Sequence, residues 1–284
     1  MAVWNLGSIN IDHFYRLPHL PAPGETLAAT EYRQGLGGKG ANQSVAAARA
    51  GATVHHIGAV GEADEAVIHR LEAEGIDTAP IARLSGTTGH AIINIDASGE
   101  NSIVIHAGAN RALPRDWVTD ALDQAQAGDI LLIQNETSHQ AYAAELARAR
   151  GLRVIYSAAP FSVDAVREVL PHIHILCVNA IEEQQLLAAL GKVEGPDLIV
   201  TRGGDGAEWR GMAKVPAFAV DAVDTTGAGD CFTGNIAAAL DAGFSPTDAM
   251  RRASAAAAIQ VTRHGTADAM PDAAEIEDFL YRHP

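Results

Sequence analysis

Residues 224–233 read Asp224-Thr225-Thr226-Gly227-Ala228-Gly229-Asp230-Cys231-Phe232-Thr233, and an Ala-rich apolar stretch follows them. The two glycines free the backbone where a helix is expected to begin, so consecutive N–H groups can point into one small space. The positive end of the helix dipole lies behind these groups. We therefore predict that the amides of Gly227, Ala228 and Gly229 form a binding site for an anion.

A carboxylate, Asp230, lies at the edge of this predicted anion site. An acid beside a site for negative charge is electrostatically costly, which favours a chemical role as the base that accepts a hydroxyl proton during phosphoryl transfer. The alternative is structural, because an aspartate in a first helical turn is also favoured by capping and by the helix dipole. Residues 224–233 alone leave both interpretations open.

A second glycine cluster opens residues 35–51, which read Gly-Leu-Gly-Gly-Lys-Gly-Ala-Asn-Gln-Ser-Val-Ala-Ala-Ala-Arg-Ala-Gly. The pattern predicts a helix that ends at Gly51, since glycine commonly follows the last helical residue. The cluster is not a Walker loop, because Lys39 is followed by Gly40 instead of Ser or Thr. Neither glycine segment fits the G-x-G-x-x-G pattern of dinucleotide-binding proteins.

Composition and charge exclude several classes of protein. The 284 residues, of which 48% are apolar and 19% charged, suit a single domain over residues 1–284 with a packed core. A net charge of −15 argues against nucleic acid or an anionic membrane as a partner. The two cysteines, Cys177 and Cys231, lack C-x-x-C spacing and indicate a reduced, cytoplasmic protein without structural zinc. We expect neither a signal peptide nor a membrane helix.

Short β-rich runs alternate with helical stretches along most of the chain. This alternation predicts an α/β fold, in which helices cover both faces of a central, mostly parallel sheet. The predicted strands are residues 3–6, 54–60, 130–133, 153–156, 173–178 and 198–201, and the predicted helices include residues 65–74, 140–150, 232–242 and 246–261.

Two segments interrupt the alternation. Residues 12–34 contain several prolines and are not predicted to form a crossover helix, and residues 89–106 are predicted to form a hairpin with its turn at 96–101. Strands without helices between them must pair with one another, so these two segments predict a small β-sheet that projects from the core. An exposed apolar face on such a sheet would favour association of two chains.

The two glycine segments resemble the ribokinase (PfkB) family of sugar and nucleoside kinases, and so do residues 7–12, 23–26, 37–43 and 106–110. The resemblance covers nearly the whole chain. It implies the ribokinase-like fold, with a small β lid over the sugar that often carries a homodimer interface. It further implies a phosphotransferase that uses ATP, and the match is greatest to family members that phosphorylate the 5-hydroxyl of D-ribose. The alternatives are a family kinase for deoxyribose, a ketohexose or a nucleoside, or a non-catalytic sugar-binding regulator.

The resemblance also implies which residues contact a small sugar. They are Asn10, Asp12, Gly38, Lys39, Asn42 and Glu136, with Asp230 as the catalytic base and residues 227–229 as the anion site. An independent argument is positional, because ligands of parallel sheets lie beyond the carboxyl ends of strands, and Asp12 and Glu136 each follow a predicted strand. Taken singly, each acid is also compatible with a loop charge or a helix cap.

On the nucleotide side, the resemblance implies contacts from Asn179, Thr201, Gly203, Gly206 and Gly229, with Glu182 acting on Mg²⁺ through water. An Asn followed by a first-turn acid is also an ordinary helix start. Residues 157–160 and the short stretch between Glu182 and Leu198 depart from the family pattern, which leaves the phosphate donor open.

A monovalent-cation site is the last implication of the resemblance. Asp224 would supply a carboxylate to K⁺, and Thr226, Val261 and His264 would supply carbonyl oxygens. Ala269 stands where the resemblance implies a serine ligand. We therefore expect a weakened site at which K⁺ is still an activator.

Overall fold

The computed structural model describes residues 1–284, with thirteen strands and nine α-helices. The strands are β1 (Val3–Leu6), β2 (Asn10–Arg16), β3 (Glu31–Gly37), β4 (Val54–Gly61), β5 (Ile81–Leu84), β6 (Gly89–Ile95), β7 (Asn101–His106), β8 (Ile130–Ile133), β9 (Arg153–Ser157), β10 (Ile175–Asn179), β11 (Asp197–Thr201), β12 (Ala207–Trp209) and β13 (Ala213–Val215). The helices are α1 (Lys39–Arg49), α2 (Glu65–Ala73), α3 (Arg115–Leu122), α4 (Gln140–Ala149), α5 (Val163–Val169), α6 (Ala180–Leu190), α7 (Ala228–Asp241), α8 (Pro246–Gln260) and α9 (Ala273–Arg282).

The larger sheet has nine strands in the order β13-β12-β11-β10-β9-β8-β1-β4-β5. Neighbouring strands are parallel except at the edge formed by β12 and β13. Successive side chains of a strand point to opposite faces. Accordingly, Ile130 and Leu132 join a core with α1, α7 and α8, whereas Leu131 and Ile133 join a second core with α3 and α4. The predicted parallel sheet with both faces covered is confirmed.

A separate four-stranded sheet has the order β3-β2-β6-β7. It is mixed, because β2 pairs with β6 in parallel while the two outer pairs are antiparallel. Asp12 follows the first strand, as predicted, and it lies with Asn10 within β2. Every residue of the edge strand β7 is exposed, including Ile103, Val104 and Ile105.

Helix α7 begins at Ala228, four residues before the predicted start at residue 232. Gly227 precedes it with φ +80°, a left-handed conformation that glycine adopts without strain. The earlier start places Asp230 in the first helical turn. At Gly234, a Cβ atom would lie 2.5 Å from the carbonyl oxygen of Gln43, so glycine lets α7 pack tightly against α1. None of the helices combines the length and apolarity needed to span a bilayer.

Candidate active site

The main cleft lies at the carboxyl ends of β9, β10 and β11, against the N-terminus of α7. This is where parallel sheets commonly bind their ligands. The structure brings together here most of the residues predicted to carry the chemistry: Lys39, Asn179, Glu182, Thr201, Asp230 and residues 227–229.

Asp230 is a buried carboxylate with 8% of its surface exposed. Asn42 Nδ2 donates to its Oδ2 at 3.0 Å, and Gln43 Nε2 donates to its Oδ1 at 2.9 Å. Burial raises the pKa of Asp230, while the charge of Lys39 and the two amide donors oppose that shift. The group is therefore fixed in position and has an increased affinity for a proton.

Asn42 acts on the site through the carboxylate that it holds. Its Nδ2 donates to Asp230, whereas its Oδ1 is shielded from solvent and has no hydrogen-bond partner. The role of the adjacent Gln43 was not predicted, although this residue lies within the second glycine segment.

A buried amide chain continues behind Gln43. Gln134 Nε2 donates to Gln43 Oε1 at 2.8 Å and to Asn5 Oδ1 at 2.9 Å. Asn5 Nδ2 in turn donates to Ser44 Oγ at 2.8 Å, and Ser44 Oγ lies 2.8 Å from His56 Nδ1. All five side chains are almost completely buried. Buried polar networks that are this well connected hold their members in one arrangement.

The N-terminus of α7 lies where the anion site was predicted. Residues 227–229 line the cleft, and Ala228 N makes only a long hydrogen bond, 3.3 Å, to Thr225 O. The first amides of a helix lack intrahelical partners and carry the positive end of the dipole. This end of the cleft can therefore stabilise negative charge close to Asp230.

Glu136 lies on the side of the cleft that faces the small sheet. Its Oε2 accepts hydrogen bonds from Ser8 Oγ and from Lys39 N, and its Oε1 lies 3.8 Å from Lys39 Nζ. Burial alone would lower the pKa of Lys39, but neighbouring carboxylates raise it, so the ammonium charge is retained. Glu136 also lines a smaller pocket with Asn10 and Asn110, whose Nδ2 donates to Asn10 Oδ1 at 2.8 Å.

Asp12 is also buried, with 8% of its surface exposed. Burial, followed by the charge of Glu136, raises its pKa to about 6, while Arg33 and Lys39 oppose the shift. Two acids and a cation thus lie near one polar pocket. This arrangement suits an uncharged ligand with several hydroxyl groups. Gly38, predicted to contact the same ligand, is the residue before α1 and adjoins Lys39.

A second, mostly apolar cleft adjoins the first, and both contain Thr201 and Gly229. Gly203 and Gly206 line it as predicted. Its apolar wall was not predicted and consists of Ala217, Phe218, Val220, Ala257, Ala258 and Val261. The wall residues lie before α7, on α8 and directly after it. They are distant in the sequence, so no local pattern could predict that they form one surface.

Asn179 and Glu182 start helix α6 with a capping box. Asn179 Oδ1 accepts from the N–H groups of Ile181 and Glu182 at 2.9 Å, and Glu182 Oε2 accepts from Asn179 N at 2.8 Å. These two residues therefore do form an ordinary helix start, which was the alternative interpretation. Both residues also line the main cleft, where burial raises the pKa of Glu182.

The residues predicted to bind K⁺ lie on two adjacent loops, and the oxygen atoms of three of them, Asp224, Thr226 and Val261, already accept hydrogen bonds. Asp224 Oδ1 accepts a hydrogen bond from Thr226 N at 2.9 Å, and its Oδ2 accepts one from Gly265 N at 3.1 Å. Val261 O accepts hydrogen bonds from two backbone N–H groups, at 2.7 and 3.1 Å. Thr226 O accepts one from the side-chain amide of Gln260, which is buried. Ala269 has no side-chain oxygen. The residues present therefore do not fit a K⁺ ion.

Comparison with known proteins agrees with this geometry. The family model described as pfkB family carbohydrate kinase matches residues 3–273. The chain is 37% identical over 297 residues to a ribokinase of Haemophilus influenzae, with 97% of each chain covered. Among solved structures, a ribokinase from Thermotoga maritima superposes with a TM-score of 0.89 at 34% identity, with 99% of each chain covered. An Arabidopsis thaliana ribokinase complexed with ribose and ATP gives a TM-score of 0.86 at 28% identity, again with 99% of each chain covered. The chain therefore belongs to the pfkB family of carbohydrate kinases.

Proposed function

We propose that this protein is an ATP-dependent ribokinase that phosphorylates the 5-hydroxyl of D-ribose and releases ribose 5-phosphate. The observation that carries the proposal is Asp230, buried with a raised pKa beside the backbone amides of residues 227–229. A base and an anion site in one cleft are the two parts that phosphoryl transfer to a hydroxyl requires. The relatives named ribokinase support ribose as the acceptor.

The sugar binds in this proposal where the main cleft meets the small sheet. Asp12 and Glu136 accept hydrogen bonds from its hydroxyl groups, and Lys39 and Asn10 donate to its oxygens. Asn42, which was predicted to contact the sugar, holds the carboxylate of Asp230 in position at this end of the cleft.

Asp230 takes the proton of the attacking hydroxyl as the bond to phosphorus forms. The transition state of phosphoryl transfer is loose, so orientation of the attacking oxygen contributes as much as proton removal. The raised pKa favours proton transfer, and the amides from Asn42 and Gln43 keep the carboxylate from rotating. The backbone amides at the start of α7 stabilise charge on the transferred group.

ATP occupies the second cleft, with its phosphates directed toward α7. Backbone approaches the nucleotide at Thr201, Gly203 and Gly206, and the apolar wall packs against the adenine ring. Mg²⁺, which accompanies ATP and neutralises phosphate charge, would be held by Glu182 through water; a carboxylate in the cleft is a suitable donor. Asn179 lies beside the phosphates. K⁺ has no part in this proposal, because three of its predicted ligands, Asp224, Thr226 and Val261, already accept hydrogen bonds.

We further infer that the small sheet is a lid over the sugar and a homodimer interface. The exposed edge strand β7 carries Ile103, Val104 and Ile105, which are 50%, 62% and 61% exposed. An exposed apolar edge strand favours pairing with another chain. A cytoplasmic location is consistent with the two unpaired, buried thiols of Cys177 and Cys231.

A substrate panel tests the proposed reaction. We expect kcat/KM to be highest for D-ribose when ADP release is measured with ribose, deoxyribose, fructose and nucleosides at fixed MgATP. The product should carry its phosphate on the 5-oxygen, as judged by phosphorus–proton coupling in NMR spectra. A higher kcat/KM for a nucleoside or a ketohexose would replace the assignment, and binding of sugar without ADP release would favour a regulator.

Sugar binding should depend on pH through Asp12. Asp12 accepts hydroxyl hydrogens most strongly, and equally through both oxygens, when it is ionised. Burial raises its pKa to about 6. We therefore expect KM for ribose to rise as the pH falls from about 7.5 to about 5, while KM for ATP changes less. Steady-state kinetics of the wild type and of Asp12→Asn check this, since the variant should lose the inflection near the Asp12 pKa. An unchanged inflection in the variant would assign it to another group.

A further inference from the structure

Gln260, the last residue of α8, is completely buried. Its side-chain Nε2 donates to Thr226 O at 2.8 Å and to Gly265 O at 3.1 Å. Thr226 belongs to the loop that leads into the anion site, and Gly265 belongs to the loop after α8. One neutral amide therefore joins the two loops that were predicted to hold K⁺.

The same two residues are also held by Asp224. The N–H groups of Thr226 and Gly265 donate to its two carboxylate oxygens, at 2.9 and 3.1 Å. Each residue is thus hydrogen-bonded at its N–H by Asp224 and at its C=O by Gln260. Both carboxylate oxygens of Asp224 are therefore already hydrogen-bonded within the protein.

The orientation of the Gln260 amide is fixed by chemistry. Two converging carbonyl oxygens repel a third oxygen, whereas an amide nitrogen has two N–H groups, one for each. The Oε1 atom is left buried without a partner. The Nε2 atom therefore lies where two backbone carbonyls converge, which is the kind of position in which carbonyl oxygens coordinate K⁺.

We infer that the side-chain amide of Gln260 replaces the monovalent cation, so that residues 224–227 are ordered in front of the anion site without K⁺. Ala269 agrees with this replacement, because it removes the side-chain oxygen that the cation would have used. Gln260 is then a positioning residue: it acts on the phosphoryl group only through the loop. The inference rests on the proposed kinase reaction for its activity readout, and a second readout is independent of that reaction.

The wild-type protein gives the first test. We expect kcat to agree within about twofold in K⁺, Na⁺ and tetramethylammonium chloride at matched ionic strength. The melting temperature without substrates should likewise be the same in the three salts. Several-fold activation by K⁺, or a melting temperature raised by K⁺ alone, would overturn the inference. If no kinase activity is found, the proposed function fails, while the melting data still decide this question.

Two variants separate loss of the donor from opening of the site. Gln260→Met fills the space without an N–H, so kcat should fall by roughly 10- to 100-fold in all three salts. Gln260→Ala leaves room for an ion, so K⁺ should restore much of its kcat and raise its melting temperature, with Na⁺ less effective. KM for ribose should change little in either variant, because the sugar pocket is not touched.

Gln124→Ala is the matched control, since Gln124 is an exposed glutamine on the protein surface whose amide makes a long bond, 3.4 Å, to a backbone carbonyl. It should behave as wild type in every salt. Wild-type kcat in both Gln260 variants without K⁺ would show that the loop is ordered by other contacts. If Gln260→Ala does not fold, Gln260→Met and the wild-type salt comparison each remain able to overturn the inference.

Discussion

Asp230→Asn is expected to lower kcat by about 10²- to 10⁴-fold while leaving the affinity for ribose largely intact. The substitution keeps the size of the side chain and removes the proton acceptor. Both oxygens of Asp230 accept from amide donors, on Asn42 and Gln43. An asparagine can accept from only one of them, so we also expect a loss of about 1 kcal/mol in the free energy of unfolding.

Steady-state kinetics, ribose binding by calorimetry and urea unfolding separate these effects. Asp241→Asn is the matched control, because Asp241 lies in the last turn of the same helix α7, away from the cleft. It should keep the wild-type kcat. Near wild-type kcat in Asp230→Asn would exclude Asp230 as the base.

Removing either sugar-side acid should raise KM for ribose by roughly 5- to 150-fold, since a hydroxyl left without its acceptor costs about 1–3 kcal/mol. Glu136→Ala should have the larger effect of the two. Its Oε2 accepts from Ser8 and from Lys39 N, so these donors also lose their partner. Asp12→Ala removes the carboxylate of a residue that is 8% exposed. It should raise KM for ribose alone.

The affinity for nucleotide decides whether the site is divided as proposed. The dissociation constant for ADP, measured by calorimetry, should stay within about threefold of wild type in both variants. Glu100→Ala is the control for charge, because Glu100 is an exposed acid in the turn between β6 and β7. Selective loss of ADP affinity in Asp12→Ala and Glu136→Ala would reverse the assignment of the two clefts.

Much of the fold was predictable because its signals are local. The apolar runs predicted β1 and β8 at their observed bounds, and Ser245 with Pro246 predicted the start of α8. The glycines of residues 224–233 likewise predicted a helix start near Asp230. The start of α7 was misplaced because the left-handed conformation of Gly227, and not the first large apolar residue, sets it.

The rest could not be predicted, because it depends on contacts between distant segments. Gln43 reaches Asp230 only after α1 packs against α7, and Gln260 reaches Thr226 only after α8 has folded beside that loop. The cation site shows the limit most clearly. The sequence places the predicted ligands on two loops, but only the three-dimensional structure shows that the Gln260 amide bridges these loops.

The buried amide chain has a direction. Burial lowers the pKa of His56 to about 4, so the ring is neutral, and its Nε2 faces Gly7 O, which can only accept. The single ring proton is therefore on Nε2, and Nδ1 must accept from the hydroxyl of Ser44. Because Ser44 uses its hydroxyl proton on His56, its oxygen can only accept a hydrogen bond from the Asn5 amide. The amides of Asn5, Gln134 and Gln43 are then each held in one orientation. The histidine tautomer on β4 thus supports the same Gln43 orientation that the carboxylate of Asp230 requires as an acceptor. A change at residue 56 would remove one of these two constraints on the Gln43 amide, without any contact between residue 56 and Asp230.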